Sequence, residues 1–292
     1  MVRGKNDRRR KPVKARSKTA RRKPAAQAAS DSNTPVLDAA KLRALYAALL
    51  ECRLLGERLN KLARQGKTLR TPAAPSGLEA AIVGTAMHLS PADFIAPSPS
   101  LFLASHIRGC SLDLIFKLLS GNHASPELAA SLQLQAAASA ALAVKMQPQQ
   151  AVVLALADDA GTMPGFWHEA VSFAGAHLLP IVFVICTSPD QPTLREQALT
   201  FGLPGITVDG YDVVAVFRVA QESIRRARQG HGPTLIECKM LPPDSNREGS
   251  GDSVAFMEAY LAKRKLWTPA WKNQLTKQIA EYLKLMTGST SS

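Results

Sequence analysis

From Val36 to Gly66 the apolar residues Leu42, Leu45, Tyr46, Leu49, Leu50, Leu54, Leu59 and Leu62 recur at intervals of mostly three and four. That spacing predicts an amphipathic helix, ended by Gly66. Ser76-Gly77-Leu78-Glu79 reads as a capping box that opens a second helix running through Met87. Ser111 to Ser120 is a third helix, and the alanine-rich stretch Pro126 to Met146 a fourth. The pattern then changes. Ala151 to Ala157 is a continuous apolar run bounded by Asp158-Asp159, which suits a strand covered on both faces. A helix over Phe166 to Leu178 follows, then a second such strand, Ile181 to Cys186, closed by Thr187-Ser188-Pro189-Asp190. After a short helix come a strand at Ile206 to Val208, an amphipathic helix at Val213 to Gln229, and a strand at Thr234 to Lys239. Two further helices fill residues 252–286, the second starting at Thr268-Pro269. Strands alternating with helices at this spacing predict right-handed βαβ units, hence an α/β fold with a parallel sheet and helices on both faces.

Composition refines this picture in two places. The chain has 292 residues, 46% of them hydrophobic, enough for a sizeable core. Its longest apolar run, Leu178 to Cys186, is about half the roughly 20 residues that cross a bilayer, so a membrane-spanning helix is not expected. The net charge of +13 is local: residues 1–23 hold twelve Lys and Arg against Asp7 alone, which leaves the rest at +2. Residues 1–35 contain almost no large apolar side chain and read as a disordered basic tail, with residues 36–292 as the folded domain. Such a tail, through residues 3–23, either attaches to nucleic acid by releasing counterions or is simply solvated. The cysteines Cys52, Cys110, Cys186 and Cys238 lie 58, 76 and 52 residues apart, neither a disulfide framework nor zinc spacing. With no apolar signal segment behind the basic start, a reducing cytoplasm is the expected compartment.

In an open parallel sheet, ligands bind outside the carboxyl ends of the strands. Two ends carry chemistry: Asp158-Asp159-Ala160-Gly161 and Thr187-Ser188-Pro189-Asp190. Side by side, they offer carboxylate and hydroxyl oxygens that suit a hard cation such as Mg²⁺ with a phosphate bridged to it. On spacing alone the plainer reading, Asp158 as a helix cap and Thr187-Ser188 as a turn, is favoured.

Several blocks resemble the alpha subunit of the decarboxylating component of 2-oxo acid dehydrogenase complexes. They are Phe166-Trp167-His168-Glu169-Ala170, Leu179 to Val184, and above all Phe201 to Val216, continuing through Ala227-Arg228 into Gly230 to Glu237. Upstream, Gly77, Glu79 and Ala80 resemble the family's Gly-x-Glu-Ala helix, and Arg108-Gly109 the end of its next block. The likeness spans about residues 38–286. It implies a thiamine-diphosphate-binding fold. It also implies Mg²⁺ holding the cofactor's diphosphate, a beta-subunit partner in a heterotetramer, and transfer of the acyl group to a lipoyl-bearing acyltransferase. The implied reaction is oxidative decarboxylation of a 2-oxo acid, the cofactor supplying the electron sink and the protein the orientation.

The implied cofactor-binding residues are Asp158, Asp159, Ala160, Gly161, Thr187, Ser188 and Asp190, with Asp159 and Thr187 on the metal. Departures concentrate there. Where the resembled motif runs Gly-Asp-Gly to Asn-Asn, this chain has Asp158, Asp159, Ala160 and then Thr187-Ser188. Pro99-Ser100 stand in place of a diphosphate-gripping Tyr-Arg, and Leu101-Phe102 in place of Asp-His. The Gly-rich loop expected after Leu119 is largely missing, and Pro242 to Glu248 holds no histidine. His106, close to the lost histidine, is a candidate catalytic substitute. His168, His177, Trp167, Trp267 and Trp271 read as packing residues. The expected outcome is an eroded site on a preserved core, with catalysis weakened or lost, or a non-catalytic homologue acting as a structural or interaction partner.

Overall fold

The computed structural model describes residues 37–65, 77–112, 114, 126–162, 165–244, 246 and 248–288. The basic tail, Ser76, Leu119 and nearly all of the expected helix Ser111–Ser120 lie outside the described residues.

Five parallel strands form one sheet in the order β1-β2-β3-β5-β4: β1 Phe94–Pro97, β2 Val153–Asp158, β3 Ile181–Thr187, β4 Gly205–Asp209 and β5 Thr234–Lys239. The four strands read from the sequence are present. β1 is an addition to them: Phe-Ile-Ala-Pro is a short edge strand with Phe94 half exposed and a terminal proline, which only an edge tolerates. The central strands β2 and β3 are apolar at nearly every position because each face is covered by helices.

Successive residues on a strand point to opposite faces, and the core divides accordingly. One half gathers Leu154, Leu156, Val182, Val184, Cys186 and Cys238 with α1 (Ala39–Arg64), α2 (Glu79–Ala86), α3 (Leu103–Ile107), α7 (Val213–Arg228), α8 (Ser253–Lys263) and α9 (Pro269–Gly288). The other gathers Val153, Ala155, Phe183, Ile185 and Leu235 with α4 (Pro126–Lys145), α5 (Phe166–Ala176) and α6 (Leu194–Thr200). Trp167 is core, its ring edge-on to Phe183. All four cysteines are free thiols. Among the described residues, no helix is long and apolar enough to cross a membrane.

Polar anchors fix the ends of this core. Helix α2 opens at Glu79 behind Leu78, without a side-chain cap. The Glu79 carboxylate instead reaches back to the Gly77 N–H at 2.9 Å and accepts from Arg53, which also donates to Asp252 at the head of α8. Gly77 has φ +103°, and a Cβ there would meet the Tyr211 ring at 3.1 Å. At the amino-terminal edge of the sheet, Asp93 accepts from Arg228, Ser90 and the Val152 N–H.

His88 lies under α7, with Nε2 2.7 Å from the Phe217 carbonyl, which can only accept, so Nε2 carries the proton. Burial, opposed by that bond and helped by nearby Lys41, lowers its pKa from 6.5 to about 4. A base whose folded pKa is depressed contributes stability that is complete above its unfolded pKa and declines as pH falls below it. Stability should therefore fall by roughly 2–4 kcal/mol between pH 6.5 and pH 4, from the size of the shift. A His88→Gln variant should lose much of that slope, as read by denaturant unfolding at several pH values, and an unchanged slope would contradict the assignment.

Candidate functional site

β2 and β3 are neighbours in register, Asp158 opposite Cys186, so the two acid- and hydroxyl-bearing tips lie side by side. Asp159 opens a single 3₁₀ turn, Asp159–Thr162, whose Thr162 hydroxyl donates to the Asp159 carbonyl at 2.7 Å. That turn carries Ala160 and the buried Gly161. Across the gap, the Ser188 N–H donates to Asp159 Oδ2 at 3.0 Å, and the Ser188 hydroxyl bonds the same oxygen. Asp158, Asp159, Ser188 and the turns behind them are thus brought together. Asp190 sits exposed beyond them in the second turn.

Asp158 Oδ1 and Asp159 Oδ1 are both buried and without a hydrogen-bond partner. Asp158 alternates with Leu156, so its side chain leaves the strand on the face of Cys186. The Cys186 thiol is held well above its ordinary pKa by contact with Cys238, by burial, and by the charges of Asp158 and Asp159. It is therefore a protonated core thiol.

Thr187, the other residue expected on a metal, faces elsewhere. It is fully buried on the opposite face, and its hydroxyl donates to Glu237 at 3.2 Å. Glu237 is a residue that motif reasoning passed over, although an acid inside the apolar run Thr-Leu-Ile-Glu-Cys was the available signal. It also accepts from Thr193 at 2.7 Å, from Thr207 at 2.9 Å and from the Leu194 N–H. Burial pushes its pKa up, but the hydroxyls of Thr193 and Thr207, the Leu194 N–H and Thr187 outweigh it and hold the carboxyl below its usual range.

His106 is not at the strand tips. It stands on α3 with Nε2 3.0 Å from Glu51 of α1, and Arg108, two residues on, bonds the carbonyls of Ser90 and Asp93 ahead of β1. His106 lines a cavity of about 400 Å³ shared with Glu51, Met87, Cys110 and Tyr282, and none of the strand-tip residues lines it. The Pro99–Leu101 turn, by contrast, does lie at the tips, because the Ser98 N–H donates to Leu156 of β2 at 2.7 Å. Its Ser100 hydroxyl pairs with that of Ser98 at 2.9 Å.

These residues fit a cofactor's two charged parts unequally. Two open carboxylate oxygens are the ligand type a hard divalent cation takes. A diphosphate needs cationic or backbone N–H donors. At the tips it would meet the Asp158 carboxylate, the Ser100 hydroxyl, and a Lys239 ammonium already bonded to the Gln191 carbonyl at 2.6 Å and 3.8 Å from Glu237. Among the described residues, the side chains at the tips do not fit a metal-bridged diphosphate. Among the described residues, no group of three or more His, Cys, Asp or Glu converges on a metal position either.

Comparison with known proteins finds similarity to dehydrogenase E1 components. Residues 126–241 match the dehydrogenase E1 component family. The pyruvate dehydrogenase E1 component subunit alpha of Acholeplasma laidlawii is 29% identical over 255 residues, covering 74% of this chain and 74% of that protein. Its counterpart in Staphylococcus aureus is 28% identical over 289 residues, covering 86% of this chain and 78% of that protein. Among solved structures, a transketolase from Campylobacter jejuni superposes with a TM-score of 0.49 at 17% identity, over 67% of this chain and 37% of that one.

Proposed function

We propose that this chain, a 2-oxo acid dehydrogenase E1 alpha-like protein, pairs with a beta-type subunit while contributing a weakened or inactive cofactor site. The relatives named above are alpha subunits of pyruvate dehydrogenase. The parent activity that the resemblance implies is oxidative decarboxylation of a 2-oxo acid with thiamine diphosphate and Mg²⁺, the acyl group passing to a lipoyl-bearing acyltransferase. The observation that carries the weakened-site reading is Asp158. Its carboxylate, with one buried oxygen unpartnered, stands beside Asp159 where the resembled motif has a glycine open to a diphosphate. The apolar strands resemble the family's pattern, while Asp158, Ala160, Thr187 and Ser188 depart from the resembled cofactor motif.

Magnitudes support that reading. A charge-assisted hydrogen bond that is lost removes about 1.5–3 kcal/mol. An added like charge costs a similar amount at an effective dielectric constant near 20. Two or three such changes weaken cofactor binding by about 10²–10⁴-fold.

Co-expression with a beta-type subunit tests the reading. The expected result is a stable heteromer on size exclusion, with 2-oxo acid decarboxylation at least about 100-fold below a pair carrying the intact motif, in line with the lost binding. Turnover within tenfold of the intact pair would overturn it.

A further inference from the structure

We propose that Glu237 is the positioning residue of the Ser188–Thr193 turn, the half of the candidate site that β3 contributes. Its carboxylate joins four separate elements. Thr187 ends β3, Thr193 precedes α6, Thr207 lies on β4, and Glu237 itself is on β5. Thr193 occupies the N-cap position of α6 yet makes no cap to its own helix. Its hydroxyl goes to Glu237, and Glu237 accepts the Leu194 N–H in its stead. The helix is therefore capped from a different strand, and the start of α6 is fixed relative to β5 rather than by its own sequence.

The turn between Thr187 and Thr193 is tied at both ends to this one carboxylate. Lys239 adds a third tie, to the Gln191 carbonyl in the middle. Held this way, the turn sets Ser188 against Asp159. A neutral or apolar residue at position 237 would release the buried Thr187 hydroxyl together with those of half-buried Thr193 and exposed Thr207, and each would have to find another acceptor or turn toward water.

Amide hydrogen exchange on the full chain reads the inference. In Glu237→Gln, exchange at Ser188, Gln191 and Leu194 should rise at least about tenfold, while the β2 amides from Val153 to Ala157 stay unchanged, since a local opening leaves the core intact. Because Glu237→Gln can impair folding, Thr193→Val is the second variant. It should show the same pattern at Leu194 and its neighbours, and Thr193→Ser, which keeps the hydroxyl, should restore wild-type protection. Unchanged exchange in the turn, or an equal rise across β2, would overturn the positioning role. The inference takes its functional meaning from the strand-tip site proposed above, but the two fail separately. Tight cofactor binding by the wild-type chain would sink the weakened-site reading and leave the exchange result standing.

Discussion

Replacing Asp93 by alanine should destabilise the body by about 3–5 kcal/mol, the amount typical of breaking a buried ion pair by removing one partner. The Asp93 side chain is fully buried. Its Oδ1 accepts from Arg228 and from the Val152 N–H, both at 2.8 Å, and its Oδ2 from Arg228 at 2.7 Å and from Ser90. Alanine leaves the Arg228 guanidinium, three-quarters buried, with no counter-charge, and the Val152 N–H, at the start of the central β2 ladder, with no acceptor. Since whole domains are stable by about 5–15 kcal/mol, this one change takes a large share. In thermal melts it corresponds to a fall in Tm of roughly 6–20 °C for a body of this size. The Asp93→Asn variant, which keeps the shape and part of the hydrogen bonding, should lose less. Burial raises the Asp93 pKa, but Arg228, Ser90 and Val152 more than offset it, so the folded carboxyl titrates below its ordinary 3.8. Its contribution is therefore complete above that value and is lost as pH falls through the lower, folded one. Urea unfolding at pH 7 checks the prediction. A shift under 1 kcal/mol would mean that the Asp93–Arg228 lock is not what holds the amino-terminal edge.

The second large effect is a gain. Asp158→Gly should raise affinity for thiamine diphosphate with Mg²⁺ by roughly 10–100-fold, the value of removing one like charge of about 1–3 kcal/mol near the diphosphate. Glycine also restores close backbone approach. Ser100→Arg should add a comparable factor through a charge-assisted bond, because the Pro99–Leu101 turn is already placed at the β2 tip. Residues this close to one ligand need not act independently, so the double variant is expected to exceed either single one without reaching their product. Isothermal titration of the three variants alongside the wild type would show it. If neither single change nor the pair improved binding, charge and grip at the strand tips would not be what limits this site.

Much of the architecture was legible because long-range burial leaves a short-range signature. β2, β3 and β5 are covered on both sides and so read as unbroken apolar runs, and α7 shows its buried face in Val213, Val216, Phe217, Ala220, Ile224 and Ala227. β1 and α3 left no such trace. A four-residue edge strand ending in proline and a five-residue helix are each too short for periodicity to register. The proximity of the two strand tips was readable from βαβ logic, and Ser188 does meet Asp159. The direction of Thr187 was readable in principle, since alternation along β3 puts it on the face opposite Cys186, but the motif alignment pointed to a metal instead. The Glu237 cluster and the Asp93–Arg228 lock join residues 30 to 135 positions apart, and no local pattern announces a pairing at that distance. His106 was tempting by its nearness in sequence to a missing histidine. In space it pairs with Glu51 of α1 rather than with the Asp159–Ser188 pair.

The most direct measurement is calorimetric titration of the purified chain with thiamine diphosphate and Mg²⁺, alone and then in complex with a beta-type subunit. An eroded cradle predicts no saturable heat in the range where an intact site saturates, or a dissociation constant about 10²–10⁴-fold higher. Saturable binding of ordinary strength in the complex, with one cofactor per alpha-type chain, would contradict it.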